Sequence, residues 1–234
     1  MSSSGRIRSE EQSALEFTVK LAPLLTEALQ YIKVVLGLVA KARVHANNVV
    51  QLGKAQSSSP VDKRRLEVTA RREYFNFKET VWRLRESVEG TDNAIHVMNQ
   101  CLNPLEGLEN YTRKLEKDLS HVKSPAGQRE KAFEEGMFSS EKNVSSGIQL
   151  NIQRCEAIKA QLIKFLDAAN SSFKPPAGQW SYGAIISVAR LSDELEPLQK
   201  WYTAAFNSIY HVKAVVDRIA ELETAVLKQG LSIR

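Results

Sequence analysis

The chain has 234 residues, of which 43% are hydrophobic and 25% charged, with 32 Lys and Arg against 27 Asp and Glu. This balance is typical of a folded globular protein and excludes a chain that is disordered throughout. The longest uninterrupted apolar run covers only residues 34–40, between two lysines, whereas a membrane-spanning helix needs about 20 apolar residues. We therefore expect no membrane-spanning segment. Acidic residues after the first arginines argue against a secretory signal, so we expect a cytoplasmic protein.

The first predicted element follows a flexible N-terminus, residues 1–8, and is a helix over residues 9–52. Its apolar residues cover a wide arc of the helix surface, so we expect it to contact partners on more than one side. Three serines then precede Pro60, a pattern typical of a helix cap followed by proline in the first turn.

Three further helices are predicted over residues 60–122, 128–171 and 181–229. Their apolar residues recur in alternating steps of four and three, which predicts a narrow buried seam along each helix. The second seam runs through Ala70, Tyr74, Phe77, Val81, Leu84, Val88, Thr91, Ile95, Met98, Leu102 and Leu105; the third through Phe133, Met137, Ser140, Val144, Ile148, Asn151, Cys155, Ile158, Leu162, Phe165 and Ala169; and the fourth through Val188, Leu191, Leu195, Leu198, Tyr202, Ala205, Ile209, Val212, Val216 and Ile219.

These elements predict an all-α fold with one domain, residues 9–234, in the form of an elongated antiparallel bundle of four long helices with coiled-coil-like packing. Pro23, Pro104 and Pro197 lie within helical patterns, where we expect kinks or short breaks. Because the second helix is longer than the third, Ser171 is expected beside about Lys78. Residues 60–77 are then expected to project, paired only with the end of the first helix.

Positive charge is concentrated in residues 41–72, which carry eight Lys and Arg against two Asp and Glu. Basic surface beside apolar surface is what an anionic membrane or an acidic protein partner selects. The alternative is a solvated charged face whose apolar neighbours are buried by helices of the same chain. Nucleic acid is not favoured, because aromatic residues do not alternate with the basic ones. The candidate residues for binding an anionic surface are Lys41, Arg43, Lys63, Arg64, Arg65, Arg71 and Arg72.

No pattern for catalysis, metal or cofactor binding stands out, and no small-molecule substrate is suggested. The four histidines are scattered without the paired Glu-x-x-His units of a di-iron bundle, and no phosphate-binding loop or nucleophile elbow occurs. We expect Cys101 and Cys155 to be buried, reduced thiols. Asn151 is expected to pair with another polar group or to fix helix register, and Trp180 and Trp201 are expected to be core aromatics.

In layout the chain resembles BAR-domain membrane-curvature proteins, and it is similar to the helical bundles of cytolysin-type pore-forming toxins. The first resemblance implies a homodimer that presents basic residues to lipid, and the second implies a segment that refolds into a bilayer. We expect a non-enzymatic interaction or scaffold module that self-associates as a dimer through its first two helices, with an anionic membrane or acidic protein as the next partner. Membrane insertion is the alternative. The expected partner interface is Tyr31, Val35, Leu38 and Val39.

Overall fold

The computed structural model describes residues 14–55, 59–119, 144–173 and 182–228, and all the elements in these ranges are α-helices. The prediction of an all-α fold is confirmed for this part of the chain. The predicted flexible N-terminus, residues 1–8, lies outside it. The helices are α1 (Ala14–Lys54), α2 (Pro60–Leu84), α3 (Glu86–Leu119), α4 (Val144–Ser172) and α5 (Tyr182–Lys228).

The start of α2 is the one predicted from its serines and proline. The side chain of Ser59 accepts a hydrogen bond from the backbone N–H of Asp62 at 3.4 Å, and Pro60 occupies the first turn. A capping oxygen satisfies one of the N–H groups that a helix start leaves without a partner. The predicted cap is therefore confirmed.

The predicted second helix is divided at Arg85 into α2 and α3. The N–H of Arg85 bonds to the carbonyl of Trp82 at 3.2 Å, and the N–H of Val88 bonds to the carbonyl of Arg85 at 3.2 Å. These i to i+3 bonds tighten the turn in the manner of a 3₁₀ segment. Because Arg85 keeps helical backbone angles (φ −63°, ψ −42°), the helical register continues through the interruption.

The three prolines do not divide the helices. Pro23 lies inside α1, Pro104 inside α3 and Pro197 inside α5, and each helix continues on both sides. The short breaks expected at these positions are therefore absent from the described helices, and the alternative expectation of kinks stays a prediction. Arg85 has neither proline nor glycine beside it, so its interruption carries no sequence signal.

The chain forms two compact units. Within the described residues, unit 1 comprises residues 14–29, 96–119, 144–152 and 208–228, and unit 2 comprises residues 30–55, 59–95, 153–173 and 182–207. The prediction of a single domain over residues 9–234 stays a prediction.

The core of unit 1 contains a close helix contact and a polar pair. A Cβ atom at Gly107 would overlap the ring of Phe17, so a larger residue there would force the Phe17 ring to move. Asn151 is fully buried and donates from Nδ2 to the hydroxyl of Ser208 at 2.9 Å. The expectation that Asn151 pairs with another polar group is confirmed.

The core of unit 2 contains a buried hydroxyl pair between α3 and α5. Thr91 and Tyr202 are both fully buried, and their hydroxyl oxygens are 2.9 Å apart. The hydroxyl of Thr91 donates its proton to the carbonyl of Ser87 at 2.9 Å, so Tyr202 is the donor to Thr91. Burial raises the pKa of Tyr202 to about 12.

The predicted seams are buried along nearly their whole described length. In α4 and α5 all the predicted seam residues within the described ranges are buried, and in α2 and α3 only Tyr74, Val88, Ile95 and Leu102 retain intermediate exposure. Phe133, Met137 and Ser140 lie outside the described residues. The alternation of four and three therefore identified the inward side of each helix correctly.

Candidate interaction face on helix α2

The predicted interface on α1 is largely covered by the chain itself. Val35 and Val39 are 1% and 0% exposed, and the side chain of Val35 lies close to Gly90 of α3. Tyr31 and Leu38 are half-buried. Val35 and Val39 therefore offer no surface to a second chain, which corrects their assignment as partner-interface residues and favours the alternative that helices of the same chain bury this arc.

Helix α5 covers the end of α1 as well. Asn47 accepts from the hydroxyl of Ser192 at 2.8 Å, and a Cβ at Gly53 would overlap the side chain of Ile185. The expected two-helix projection is wrong on this point, because the C-terminal end of α1 packs against α5 and not against α2 alone.

A polar cluster joins α1 to α2. The Glu73 carboxylate lies 2.8 Å from Nδ1 of His45 and 3.2 Å from Nδ2 of Asn48. A carboxylate only accepts hydrogen bonds, so Nδ1 of His45 carries the proton in this pair. The bond from His45 lowers the pKa of Glu73, with a further contribution from Asn48, while burial opposes the shift.

An aromatic cluster fixes α2 to the end of α4. The ring of Phe173 packs edge to face against Tyr74 and Phe77, with centroid separations of 6.1 and 5.7 Å. The ammonium of Lys78 lies 5.4 Å from the centre of the Phe173 ring. Such contacts add to the burial of the rings. The predicted pairing of the end of the third helix with about Lys78 is confirmed.

The opposite side of α2 carries a row of exposed apolar side chains. Val61, Val68, Phe75 and Trp82 are 76%, 62%, 67% and 63% exposed. They follow one another at intervals of seven residues, which places them on one side of a helix. The buried residues of α2, which are Ala70, Phe77, Thr80, Val81 and Leu84, occupy the other side. We call the exposed side the outer face of α2.

Charged residues alternate with this apolar row. Arg65, Arg72 and Glu79 fall between the apolar positions, so that the outer face repeats the spacing of four and three seen in the buried seams. Glu79 pairs with Arg83 of its own helix at 3.3 Å. The outer face is thus basic towards its start and contains a carboxylate towards its end.

The predicted anionic-surface residues divide into paired and unpaired cations. Arg43 binds Glu196 at 3.0 Å and Gln199 at 3.1 Å, and Arg71 pairs with Glu67. The others are exposed, and within the described part of the chain none of them has a carboxylate in ion-pair distance. These unpaired cations are Lys41, Lys63, Arg64, Arg65 and Arg72.

A small groove between α1 and α2, of about 180 Å³, lies beside the polar cluster. No nucleophile with an adjacent base stands among its residues, and among the described residues as a whole no three His, Cys, Asp or Glu side chains are grouped as metal ligands. The groove is lined by Leu38, Lys41, His45, Asn76, Glu79, Thr80 and Arg83.

The two cysteines are free and buried, as predicted. Burial raises the pKa of each thiol to about 12, which keeps it protonated and unreactive at neutral pH. Trp201 is 44% exposed, so its assignment to the core is wrong, and Trp180 lies outside the described residues.

Helix α1 is long and apolar enough to cross a membrane by length and composition, although the core helix of a soluble protein passes the same test. The stretch that passes this test is 33% buried in the structure. Val35 and Val39 of α1 are buried, with Val35 close to Gly90 of α3, whereas Val34 and Val44 are more than half exposed.

Comparison with known proteins finds no matching family model, and no curated protein or solved structure of significant similarity.

The outer face of α2 was missed by the sequence reasoning although its signal is present. The predicted seam of α2 is the buried row through Ala70 and Phe77, and a second row through Val68 and Phe75 has the same spacing on the opposite side. A helix with two rows of spacing four and three has two sides that can pack. That pattern was the available signal.

Two adjacent valines of α1 test whether its apolar arc is core. Val35→Glu places an unpaired carboxylate at a buried position and should lower the free energy of unfolding by at least about 3 kcal/mol. Val34 is 58% exposed, so Val34→Glu should change it by less than about 0.5 kcal/mol. Urea titration followed by circular dichroism measures both. If the two variants have equal free energies of unfolding, then Val35 is not a core residue, and the predicted partner interface at Val35 regains its support.

Glu73 predicts a pH dependence of stability. Its folded-state pKa lies below the ordinary value of 4.5, so its contribution is present at pH 6 and is lost as the pH falls through the folded pKa. Glu73→Gln should therefore lower the free energy of unfolding by about 1 kcal/mol at pH 6 and by less at pH 3. The matched control is Glu67→Gln, which removes an exposed pair and should have little effect at either pH. A Glu73→Gln deficit that persists unchanged at pH 3 would contradict the assignment.

Proposed function

We propose that the chain is a non-enzymatic, all-helical interaction module that associates with a second copy of itself through the outer face of α2. The observation that supports this is the row of Val61, Val68, Phe75 and Trp82, each more than 60% exposed. These four large apolar side chains lie on one side of a helix, with charged side chains between them. Exposed apolar surface rimmed by polar residues marks interaction surfaces. The proposal retains the predicted use of the helix hairpin and moves its contact surface from α1 to α2.

The proposed architecture is an antiparallel bundle with coiled-coil-like packing. Within unit 2, successive contacts of α1 with α5 support it: Arg43 meets Gln199, Asn47 meets Ser192 and Gly53 meets Ile185, so residue numbers rise along one helix as they fall along the other. The buried seams with spacing of four and three support the packing mode.

The size of the apolar row supports a reversible association. Phe75 and Trp82 are 67% and 63% exposed, and an aromatic side chain has about 150–250 Å² to bury. Two copies that cover these four side chains would therefore remove about 400–650 Å² of apolar surface from water. Burial of apolar surface is the main favourable contribution to association.

An anionic membrane surface is the second candidate partner, favoured by the unpaired cations. Lys63, Arg64, Arg65 and Arg72 are exposed on the same helix as the apolar row, and each basic residue near an anionic surface contributes about 1 kcal/mol. Such a protein would be cytoplasmic and peripheral to the membrane. Insertion of α1 as in pore-forming toxins would require its buried side to leave α3 and α5 first.

The first experiment measures the mass of the full chain by sedimentation across a concentration series. The wild type should shift from monomer to dimer, and Phe75→Glu combined with Trp82→Glu should remain monomeric because two carboxylates replace the largest apolar surfaces of the row. The control is Ile186→Glu, which alters an equally exposed residue of α5 (56%). A wild type that is monomeric throughout, or a dimer unaffected by the double substitution, would refute the proposal.

The second experiment measures co-sedimentation with vesicles of phosphatidylcholine alone and of phosphatidylcholine with phosphatidylserine. If the membrane candidate holds, only the anionic vesicles bind the protein, and replacing Arg64, Arg65 and Arg72 by glutamine reduces that binding in a salt-sensitive manner. Equal binding of the variant would show that the cations are not responsible. Dye release from the same vesicles would favour the pore-forming alternative instead.

A further inference from the structure

The outer face of α2 is symmetric about Phe75 in a way that bears on how two copies would pair. Val68 and Trp82 lie seven residues before and after it. Each is more than 60% exposed. Reversing the direction of the helix therefore exchanges Val68 and Trp82, whereas Val61 falls on Glu89.

The charges on this face are antisymmetric about nearly the same point. Arg72 and Glu79 lie three residues before and four after Phe75, and Arg65 and Glu86 lie ten before and eleven after. All four are exposed. Reversing the helix thus exchanges arginine for glutamate at each charged position. Glu86 is the first residue of α3 and shares this register because Arg85 keeps helical angles.

We infer that two copies of the chain pair through antiparallel α2 helices about a two-fold axis at Phe75, with Arg72 of each copy beside Glu79 of the second copy and Arg65 beside Glu86. This inference rests on the proposed self-association and specifies its geometry. The two aromatic rings of Phe75 meet at the axis, and Trp82 of each copy packs against Val68 of the other. An interface in which the same patch faces itself is the usual form of a two-fold dimer.

The charge distribution disfavours the parallel alternative. Two parallel α2 helices would set Arg65 and Arg72 of the outer face against the same two residues of the second copy. Like charges set against one another at an interface disfavour the complex, whereas complementary ones select orientation and register. The antiparallel arrangement sets the basic start of each helix against the end that holds Glu79 and Glu86.

The intramolecular pair of Glu79 with Arg83 does not prevent this pairing. Both side chains are about half exposed, at 51% and 54%, and exposed pairs four residues apart on a helix are worth little. Glu79 is therefore able to exchange Arg83 for Arg72 of a second copy.

Cross-linking of the full chain distinguishes the two orientations. In the antiparallel dimer, residue 65 of one copy lies beside residue 86 of the other and about 30 Å from residue 65, from the rise of a helix. A mixture of Arg65→Cys and Glu86→Cys chains should therefore cross-link with a short bifunctional maleimide, while neither variant alone should. The native thiols of Cys101 and Cys155 are buried and have a raised pKa, so wild type serves as the unreactive control.

Charge reversal gives an independent readout by sedimentation. Arg72→Glu and Glu79→Arg should each raise the dimer Kd by at least about tenfold, because each sets two like-charge pairs at the interface. Both substitutions in one chain should restore the wild-type Kd. In a parallel dimer residue 72 would face residue 72 and residue 79 would face residue 79 in every variant. The number of like-charge pairs would not change, so neither single substitution should raise the Kd.

The results of these experiments distinguish the antiparallel geometry from the proposed self-association on which it rests. A wild type that never dimerises refutes both. Suppose instead that the wild type dimerises through Phe75 and Trp82, but Arg65→Cys cross-links with itself, the single charge reversals leave the Kd unchanged, or the double variant does not recover. Each of these results overturns the antiparallel geometry and leaves self-association standing.

Discussion

The burial of α1 is the constraint on which the rest of unit 2 depends. Its apolar arc is too wide to be buried by one helix, and three helices of the same chain contact it. Helix α3 packs at Val35, α5 packs at Asn47 and Gly53, and α2 is joined to it through the polar cluster at Glu73. Once α1 is enclosed, α2 has one side committed to the core. The outer face of α2 is therefore the side of this helix that is available to contact a partner.

This arrangement explains why net charge alone did not identify which basic residues are exposed and unpaired. The sequence predicted a basic surface over residues 41–72, and the exposure of Arg64, Arg65 and Arg72 agrees with it. Arg43 has the same charge and lies in the same segment, yet it is bound by Glu196 and Gln199 of α5. A long-range ion pair has no local pattern, so sequence reasoning could not separate these arginines.

The buried seams were predictable because periodicity is a local property that packing preserves. Cys155, Leu162 and Tyr202 are buried where the spacing placed them. The interruption at Arg85 and the continuity of α1 through Pro23 were not predictable, because tertiary packing decides whether a helix tolerates a lost hydrogen bond. The prediction of a partner interface at Val35 has a related explanation. An apolar side chain such as valine can be buried by its own chain or by a second chain, and the sequence of α1 alone does not distinguish the two.

The start of α2 has a consequence for how a partner would be detected. Residues 60–69 include no buried side chain, so the first turns depend on the Ser59 cap and on helix propensity, with their first buried support at Ala70. Backbone amides in such a segment open locally at little free-energy cost and exchange their hydrogens with solvent quickly. A partner that covers Val61 and Val68 would stabilise these turns and slow the exchange of their backbone amides. Deuterium uptake in residues 60–69 therefore reports whether a partner is bound to this part of α2.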